Sequence, residues 1–306
     1  MGDPSRDLET AMLAAQIGPA AAWAHQQLRA RGHDAVRWRP LQRGTTAAVY
    51  AAIDAEGAAV AVLKCARASR GFALECTALQ RAAGLRGADG RPGCPELLAH
   101  APSLRALLMT VVEGDDAVDL DLAHHDAVWH AAGQLRRRFD AIAIDDDAVP
   151  LSDAFARRFG VWLGRARAHL PPAIVQAVAA RVDPSPLQGS VRRFCHRDFA
   201  PRNWRVASDG TVACVDFGHA RGDHPWVDAV RACAPPLADP IRTRAFVRGW
   251  GVAVDATAIA GAQQLLLLHG LCTATWGRAH GAPEFVAAGD ETLRRVLADE
   301  DVLALS

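Results

Sequence analysis

"FCHRDFAPRNWRV", Phe194 to Val206, sets one histidine, three arginines, an aspartate and an asparagine among apolar residues, and "VDFG" follows at Val215–Gly218. Asp198 and Asn203 stand five residues apart, in a stretch that Pro201 keeps out of a regular helix. Asp216 comes 18 residues after Asp198, at the end of the apolar run "VACVDF". A strand, a loop and a returning strand over this span would bring Asp198, Asn203 and Asp216 to one end of a hairpin. The amide oxygen of Asn203 and the carboxylate of Asp216 are hard oxygen donors suited to Mg²⁺. Asp198 is then left to orient a hydroxyl and accept its proton.

Residues able to grip a phosphate stand upstream. "VAVLK" places Lys64 at the end of an apolar strand, and Glu75 follows eleven residues later. Glu75 falls within "GFALECTALQRAAG" (71–84), where Phe72, Ala78, Leu79 and Ala82 recur at helical spacing up to Gly84. A lysine directed into a cleft needs a carboxylate partner, and Glu75 is placed to supply it. "LQRGTTAAVY" joins two strands through Gly44, Thr45 and Thr46, whose backbone N–H groups can face phosphate oxygens. With one glycine rather than G-x-G-x-x-G, the two threonines read equally as ordinary turn residues.

The rest of the chain changes texture twice. Residues 8–31 read as helical, with a break expected at Gly18-Pro19. Strands are expected near 35–41, 47–54 and 58–65, the last two joined by a turn at Asp54–Gly57, and two more before Gly114. Beyond Gly114 the helical period takes over: Val128, Trp129, Ala132, Leu135 and Phe139 form one apolar stripe. Further helices are expected at 151–168, 173–182, 226–234, 239–249, 256–277 and 284–304, interrupted by short strands around 194–217. The division is an N-terminal helical extension (1–34), a small β-rich lobe (35–113) and a larger helical lobe (114–306).

Composition narrows the partners. The 306 residues suffice for one large domain or two lobes. Lys+Arg and Asp+Glu are both 34, so the chain lacks the basic excess of nucleic-acid binders. It has neither the long uninterrupted apolar run of a membrane span nor the basic start and apolar core of a signal peptide. Arg6 stands where a myristoylation signal needs Ser or Thr. Seven cysteines form no CxxC pair and read as reduced, mostly buried thiols. The expectation is a cytoplasmic protein with neither nucleic-acid nor membrane partners.

In order, the chain reads Gly loop, VAVLK, helix glutamate, connector, HRD-x-x-x-x-N, DFG. This resembles the protein-kinase-like fold, and more closely the aminoglycoside phosphotransferase branch with its choline and homoserine kinase relatives, over roughly residues 37–300. "LLMTVVEG" resembles the connector of that branch, and "RRFDAIAIDDDAVPLSDAFARRF" the stretch after it. The resemblance implies an α+β bilobal fold, with a small β-rich N-lobe and a larger, mainly helical C-lobe. It further implies that Lys64 contacts the α/β-phosphates, Glu75 holds Lys64, and the backbone of Thr110–Val112 binds adenine. Asp198 would be the base, Asn203 and Asp216 the Mg²⁺ ligands, and His196 a brace near the DFG backbone.

Three departures shape the substrate expectation. Small-molecule kinases usually read H-G-D, and Arg197 replaces the glycine. Ala200 stands where Ser/Thr kinases carry lysine, and with Arg202 is closer to tyrosine kinases. Yet no A-P-E follows DFG, and "DFGHARGDHPWVDAVRACA" enters a helix within ten residues. Without a platform for a peptide, the acceptor is a small molecule. The implied activity is an ATP- and Mg²⁺-dependent O-phosphotransferase, acting as monomer or homodimer. Its acceptor would be an aminoglycoside-like or nucleoside-type antibiotic, in resistance or biosynthetic tailoring. The alternatives are a metabolic kinase of choline, homoserine or sugar-amine type and a non-catalytic kinase-like binding module. GTP stands beside ATP, because the connector reads the base through backbone.

Other residues carry two readings each. Asp223 and Asp228 flank Trp226, and Asp228 is expected to brace the catalytic loop through Arg197 or Arg202. His219 and His224 read as substrate contacts or solvated loop histidines. Glu113, Asp115, Asp116, Asp119, Asp121 and Asp126 form a run without Lys or Arg. That run is either a solvated connector with helix-capping acids or a rim for a cationic substrate. Trp276 and Trp250 are candidate substrate walls.

Overall fold

The computed structural model describes residues 4–43, 47–87, 90–118, 126–145 and 149–305. The chain divides into two compact units: 1–85, 94–113 and 216–219 form the first, and 86–93, 114–215 and 220–306 the second.

The first unit is built on an antiparallel sheet of β1 (Arg37–Arg43), β2 (Ala47–Ile53), β3 (Ala59–Ala66), β4 (Leu97–Ala101) and β5 (Ala106–Met109). Their order across the sheet is β1-β2-β3-β5-β4. The β2–β3 turn closes where Asp54 Oδ1 accepts the Ala58 N–H at 2.7 Å. Strand alternation sends Tyr50, Ala52, Ala61, Leu63, Ala106 and Leu108 to one face, against Ile17, Ala20, Ala24 and Leu28 of α1 (Pro4–Arg29). Lys64, between Leu63 and Cys65, therefore leaves by the opposite face, where α2 (Ser69–Arg81) supplies Glu75. The break expected at Gly18-Pro19 is absent, and α1 runs through Pro19. Four apolar side chains spaced along one helix face are buried on the sheet, and this packing carries the helix past a missing N–H.

The second unit holds seven helices among the described residues: α3 (Asp126–Phe139), α4 (Leu151–Ala166), α5 (Pro172–Ala180), α6 (Trp226–Cys233), α7 (Pro240–Trp250), α8 (Ala256–His280) and α9 (Pro283–Leu297). Short strands interrupt them. β7 (Arg193–Cys195) pairs with β10 (Arg221–Asp223), and β8 (Trp204–Val206) lies between β6 (Asp115–Asp116) and β9 (Val212–Cys214). The last helix stops at Leu297 rather than near 304, because Asp299 takes left-handed backbone (φ 57°) and the chain turns to bury Val302 and Leu303. No described helix is long and apolar enough to cross a membrane. This antiparallel sheet with a mainly helical remainder is an α+β, protein-kinase-like fold.

The core of this unit is aromatic. Phe194, Phe199 and Trp204, all from the opening stretch, are fully buried. Phe199 packs on Phe139 (5.5 Å between ring centres), Trp204 (5.2 Å) and Phe246 (6.1 Å), and Trp204 packs on Trp129 (5.2 Å). The polar residues of the loop are thus carried between hydrophobic anchors, which fix where they point.

Helices α3 and α7 cross at Gly133 and Gly249, where a side chain on either would collide with backbone of the other, at Phe246 and His130. Gly133→Ala should therefore force the pair apart and cost about 1–3 kcal/mol. Gly160→Ala on α4, with open space around it, should gain about 0.5–1 kcal/mol. Urea unfolding of the two variants would show opposite signs; equal effects would discard this account of the crossing.

Candidate active site

In the first unit, the Lys64 ammonium lies 2.8 and 2.7 Å from the two oxygens of Glu75 and 2.7 Å from Asp216 Oδ1. Lys64 is 8% exposed and Glu75 3%, whereas the Asp216 side chain keeps 46% of its surface open. Burial works against the Lys64 charge, but the two carboxylates outweigh it and hold its pKa above the ordinary value. Burial also raises Glu75, with Lys64 pulling the other way. Asp216 sits at φ 65°, a left-handed conformation that costs a non-glycine residue about 1–3 kcal/mol. The connector follows β5: the Thr110 N–H is spent on the Glu96 carbonyl (2.9 Å), and Thr110 Oγ1 accepts the Glu96 N–H (2.9 Å). The Val112 N–H makes no hydrogen bond to any described residue, so it is a backbone donor open to a ligand.

In the second unit, the loop from His196 to Asn203 is held from below by buried Asp228. Its carboxylate accepts the N–H groups of His196 (3.1 Å) and Arg197 (2.7 Å) and lies 3.2 Å from Arg136 Nε. Burial raises the Asp228 pKa, and Arg136 opposes the rise. Arg197, at φ 64°, sends its side chain to Asp223 (2.7 Å), which Arg158 also contacts (2.6 Å). Burial disfavours the Asp223 charge, but the two guanidiniums override it and keep the carboxyl well below its usual range. His196 Nε2 lies 3.0 Å from the Val215 carbonyl, immediately before the DFG.

The Asp198 carboxylate is gripped at both oxygens, by Arg202 Nη2 at Oδ1 (2.5 Å) and by Asn203 Nδ2 at Oδ2 (3.0 Å). Asn203 Nδ2 also donates to the Asp198 carbonyl (2.7 Å). These two donations fix the orientation of the amide and leave Asn203 Oδ1 as an acceptor. A carboxylate offers about four lone-pair directions, so Asp198 can still receive a hydroxyl.

The structure therefore gathers Lys64, Glu75 and Asp216 in one unit and Asp198 with Asn203 in the other. Gly44, Thr45 and Thr46 lie outside the described residues, as do Asp119 and Asp121. Asp228 braces the loop through backbone N–H groups rather than through the side chains of Arg197 or Arg202, and Arg197 goes to Asp223 instead. Trp250 is core, not a wall: it is buried against Trp226 and donates to Asp140 (3.1 Å). His224 is buried rather than solvated. Asp116 pairs with Arg205, which takes one charge out of the acidic run. Arg136, Arg158 and Arg231 escaped sequence reasoning, because helix arginines without a motif look like solvated charges.

A family model described as the phosphotransferase enzyme family, APH, matches residues 37–265. No curated protein matches the chain by sequence. Among solved structures, a thermostable mutant of aminoglycoside phosphotransferase APH(4)-Ia with AMP-PNP and hygromycin B is similar at TM-score 0.68 and 16% identity, covering 89% of this chain and 97% of that one. The gentamicin complex of APH(2")-IIa gives 0.65 and 13%, covering 94% and 97%. The GDP and kanamycin complex of APH(2")-IIia gives 0.65 and 16%, covering 86% and 93%.

His224 supplies a pH test of this architecture. Its Nδ1 accepts the Trp226 N–H (3.3 Å), and burial pushes its pKa down from 6.5 to about 4. Between those two values the unfolded chain binds a proton that the folded chain refuses, so this contribution is complete above pH 6.5 and is lost as pH falls towards 4. His224→Gln should flatten the loss of stability between pH 7 and 4.5 by on the order of 2 kcal/mol. Parallel urea curves for variant and wild type across that range would refute it.

Proposed function

The chain belongs to the phosphotransferase enzyme family, and on that premise we propose that it transfers the γ-phosphate of a nucleoside triphosphate to a hydroxyl of a small molecule. The observation that carries the reading is the buried Lys64 shared between Glu75 and the half-exposed Asp216. A lysine held this way is a fixed cation for phosphate oxygens, and Asp216 is a carboxylate that a metal–nucleotide complex can engage.

The donor chemistry of each unit suits Mg²⁺: Asp216 in the first and Asn203 Oδ1 in the second are hard oxygen ligands, and one such ligand plus substrate phosphates is a usual way this ion is held. When bound, it would supply positive charge against the phosphate oxygens. Lys64 would add to that charge, and the connector backbone at Val112 would meet the base. The acceptor hydroxyl donates its hydrogen bond to Asp198. As the new O–P bond forms and the bond to the departing nucleoside diphosphate breaks, the proton passes to the Asp198 carboxylate. Arg202 and Asn203 keep that carboxylate in place. ATP is the expected donor, in a cytoplasmic protein. The acceptor is a polyhydroxylated compound, of antibiotic or metabolite type.

Asp198→Ala should retain Mg-nucleotide binding and lose about 10²–10⁴-fold in kcat. Near-normal turnover in that variant would end the assignment. Asp216→Ala should weaken Mg-ADP binding by about tenfold or more, as loss of a charged contact does. Calorimetry showing unchanged affinity would remove Asp216 from the metal site.

A further inference from the structure

Arg231, on α6, is partly buried and makes no hydrogen bond or ion pair to any described residue. Asp228, three residues earlier on the same helix face, accepts the N–H groups of His196 (3.1 Å) and Arg197 (2.7 Å), so this face of α6 lies against the loop that carries Asp198. Burial lowers the Arg231 pKa, and the Asp198 carboxylate pulls the other way. Other guanidiniums stand close by. Arg202 holds Asp198 and lies 6.0 Å over the Phe285 ring of α9, while Arg158 and Arg197 share the single carboxylate of Asp223. On α8, the His269 ring feels Arg231, Asp198 and Arg202, and the Cys272 thiol feels Arg231, Arg158, Arg197 and Arg165. Arg202 thus contacts Asp198 and Arg158 and Arg197 contact Asp223, while Arg231 stands beside this group without a carboxylate of its own.

The same surface continues away from Asp198. Phe285 packs on Trp276 (4.9 Å), which stacks on His280 (4.3 Å). Trp276 and His280 line a cavity of about 410 Å³ together with Trp162, Arg165, His169 and Thr275, and no acidic residue lines it. Arg165 lies 4.9 Å over the Trp162 ring, and the buried Thr275 hydroxyl has no hydrogen-bond partner.

We infer that the acceptor carries an anionic group, a carboxylate or a phosphate, beside its reactive hydroxyl, and that Arg231 together with Arg202 binds that group next to Asp198. This rests on the phosphotransferase reading and specifies its acceptor. A guanidinium presents a planar fork of donors that matches carboxylate and phosphate oxygens, and a partly buried one without a partner is a group a bound anion would satisfy. The positive surplus repels an acceptor rich in ammonium groups. The Trp162 and Trp276 rings offer flat apolar faces to the remainder of the molecule.

Two measurements test it. In the first, inorganic sulfate is titrated by calorimetry into the full chain saturated with Mg-ADP. Arg231→Gln should weaken sulfate by about tenfold or more, and Arg231→Lys by less, with Mg-ADP affinity unchanged in both as the check on folding. Equal sulfate affinity in Arg231→Gln and wild type overturns the inference, as does a loss confined to nucleotide affinity. In the second, glucuronate, glucose 6-phosphate, glucose, glucosamine and kanamycin are compared as acceptors by ADP release. The anionic sugars should exceed glucosamine and kanamycin in kcat/KM, and Arg231→Gln should raise KM for them far more than for glucose. The opposite order overturns the inference. The two anionic sugars separate carboxylate from phosphate. If no acceptor of any charge releases ADP, the phosphotransferase reading fails, while the sulfate titration still decides the anion site.

Discussion

A carboxylate with no exposed surface, Asp228, carries the geometry of the loop from His196 to Asn203. Burying such a charge is costly unless it is paired and fully hydrogen-bonded. Here Arg136, also fully buried, and the N–H groups of His196 and Arg197 meet that requirement. Arg136 is in turn seated against Trp250, its guanidinium carbon 5.0 Å from the ring centre, and contacts Asp140 (3.0 Å). One charge network therefore ties α3, α6 and α7 to the loop. The left-handed backbone of Arg197 persists because two acceptors, Asp228 for its N–H and Asp223 for its side chain, hold it there. Asp198 follows Arg197 directly, so its direction is inherited from this arrangement.

The first unit solves a related problem differently. Lys64 is buried with two carboxylates rather than one, and only Asp216 of the three remains substantially open. Glu75 is a permanent partner, fixed by α2. Asp216 is an exchangeable one, because its open side can turn to a metal–nucleotide complex while Lys64 keeps Glu75. Sharing the lysine keeps Asp216 oriented in the unliganded protein, so less ordering remains to be done when the ligand arrives.

How much of this was legible in the sequence depended on chain distance. Asp198, Asn203 and Asp216 lie within 19 residues, and the apolar residues between them dictate short strands, so both loop and DFG could be read directly. Lys64 and Glu75 were legible because a strand followed by a helix closes over eleven residues. Pro19 misled, since local chain chemistry predicts a break that tertiary packing overrides. Trp250 misled because an indole on a helix looks the same in sequence whether it lines a cavity or a core. Asp228 was identified as a brace, but its route through backbone N–H groups leaves no side-chain signature. Arg231 was invisible: nothing in "VDAVRACA" separates an arginine facing the loop from one facing water.

That last blindness explains why family membership defines the transfer chemistry more tightly than its acceptor. The residues proposed to handle phosphate are few and fall in short motifs constrained by one reaction. The residues proposed to meet the acceptor come from α4, α6, α8 and α9 and are far apart in the chain, so no local motif marks them. Charge is the property by which such a surface can still be read, since a low-dielectric site amplifies an imbalance that bulk water would hide. In this chain the imbalance around Asp198 is positive. In the proposed transfer Asp198 takes up the hydroxyl proton and ceases to offset Arg202 and Arg231, so the local positive charge would increase just as the new phosphate ester forms. An anionic acceptor turned phosphate ester would be most strongly held at that moment, which places the energetic burden of the cycle on product release rather than on binding.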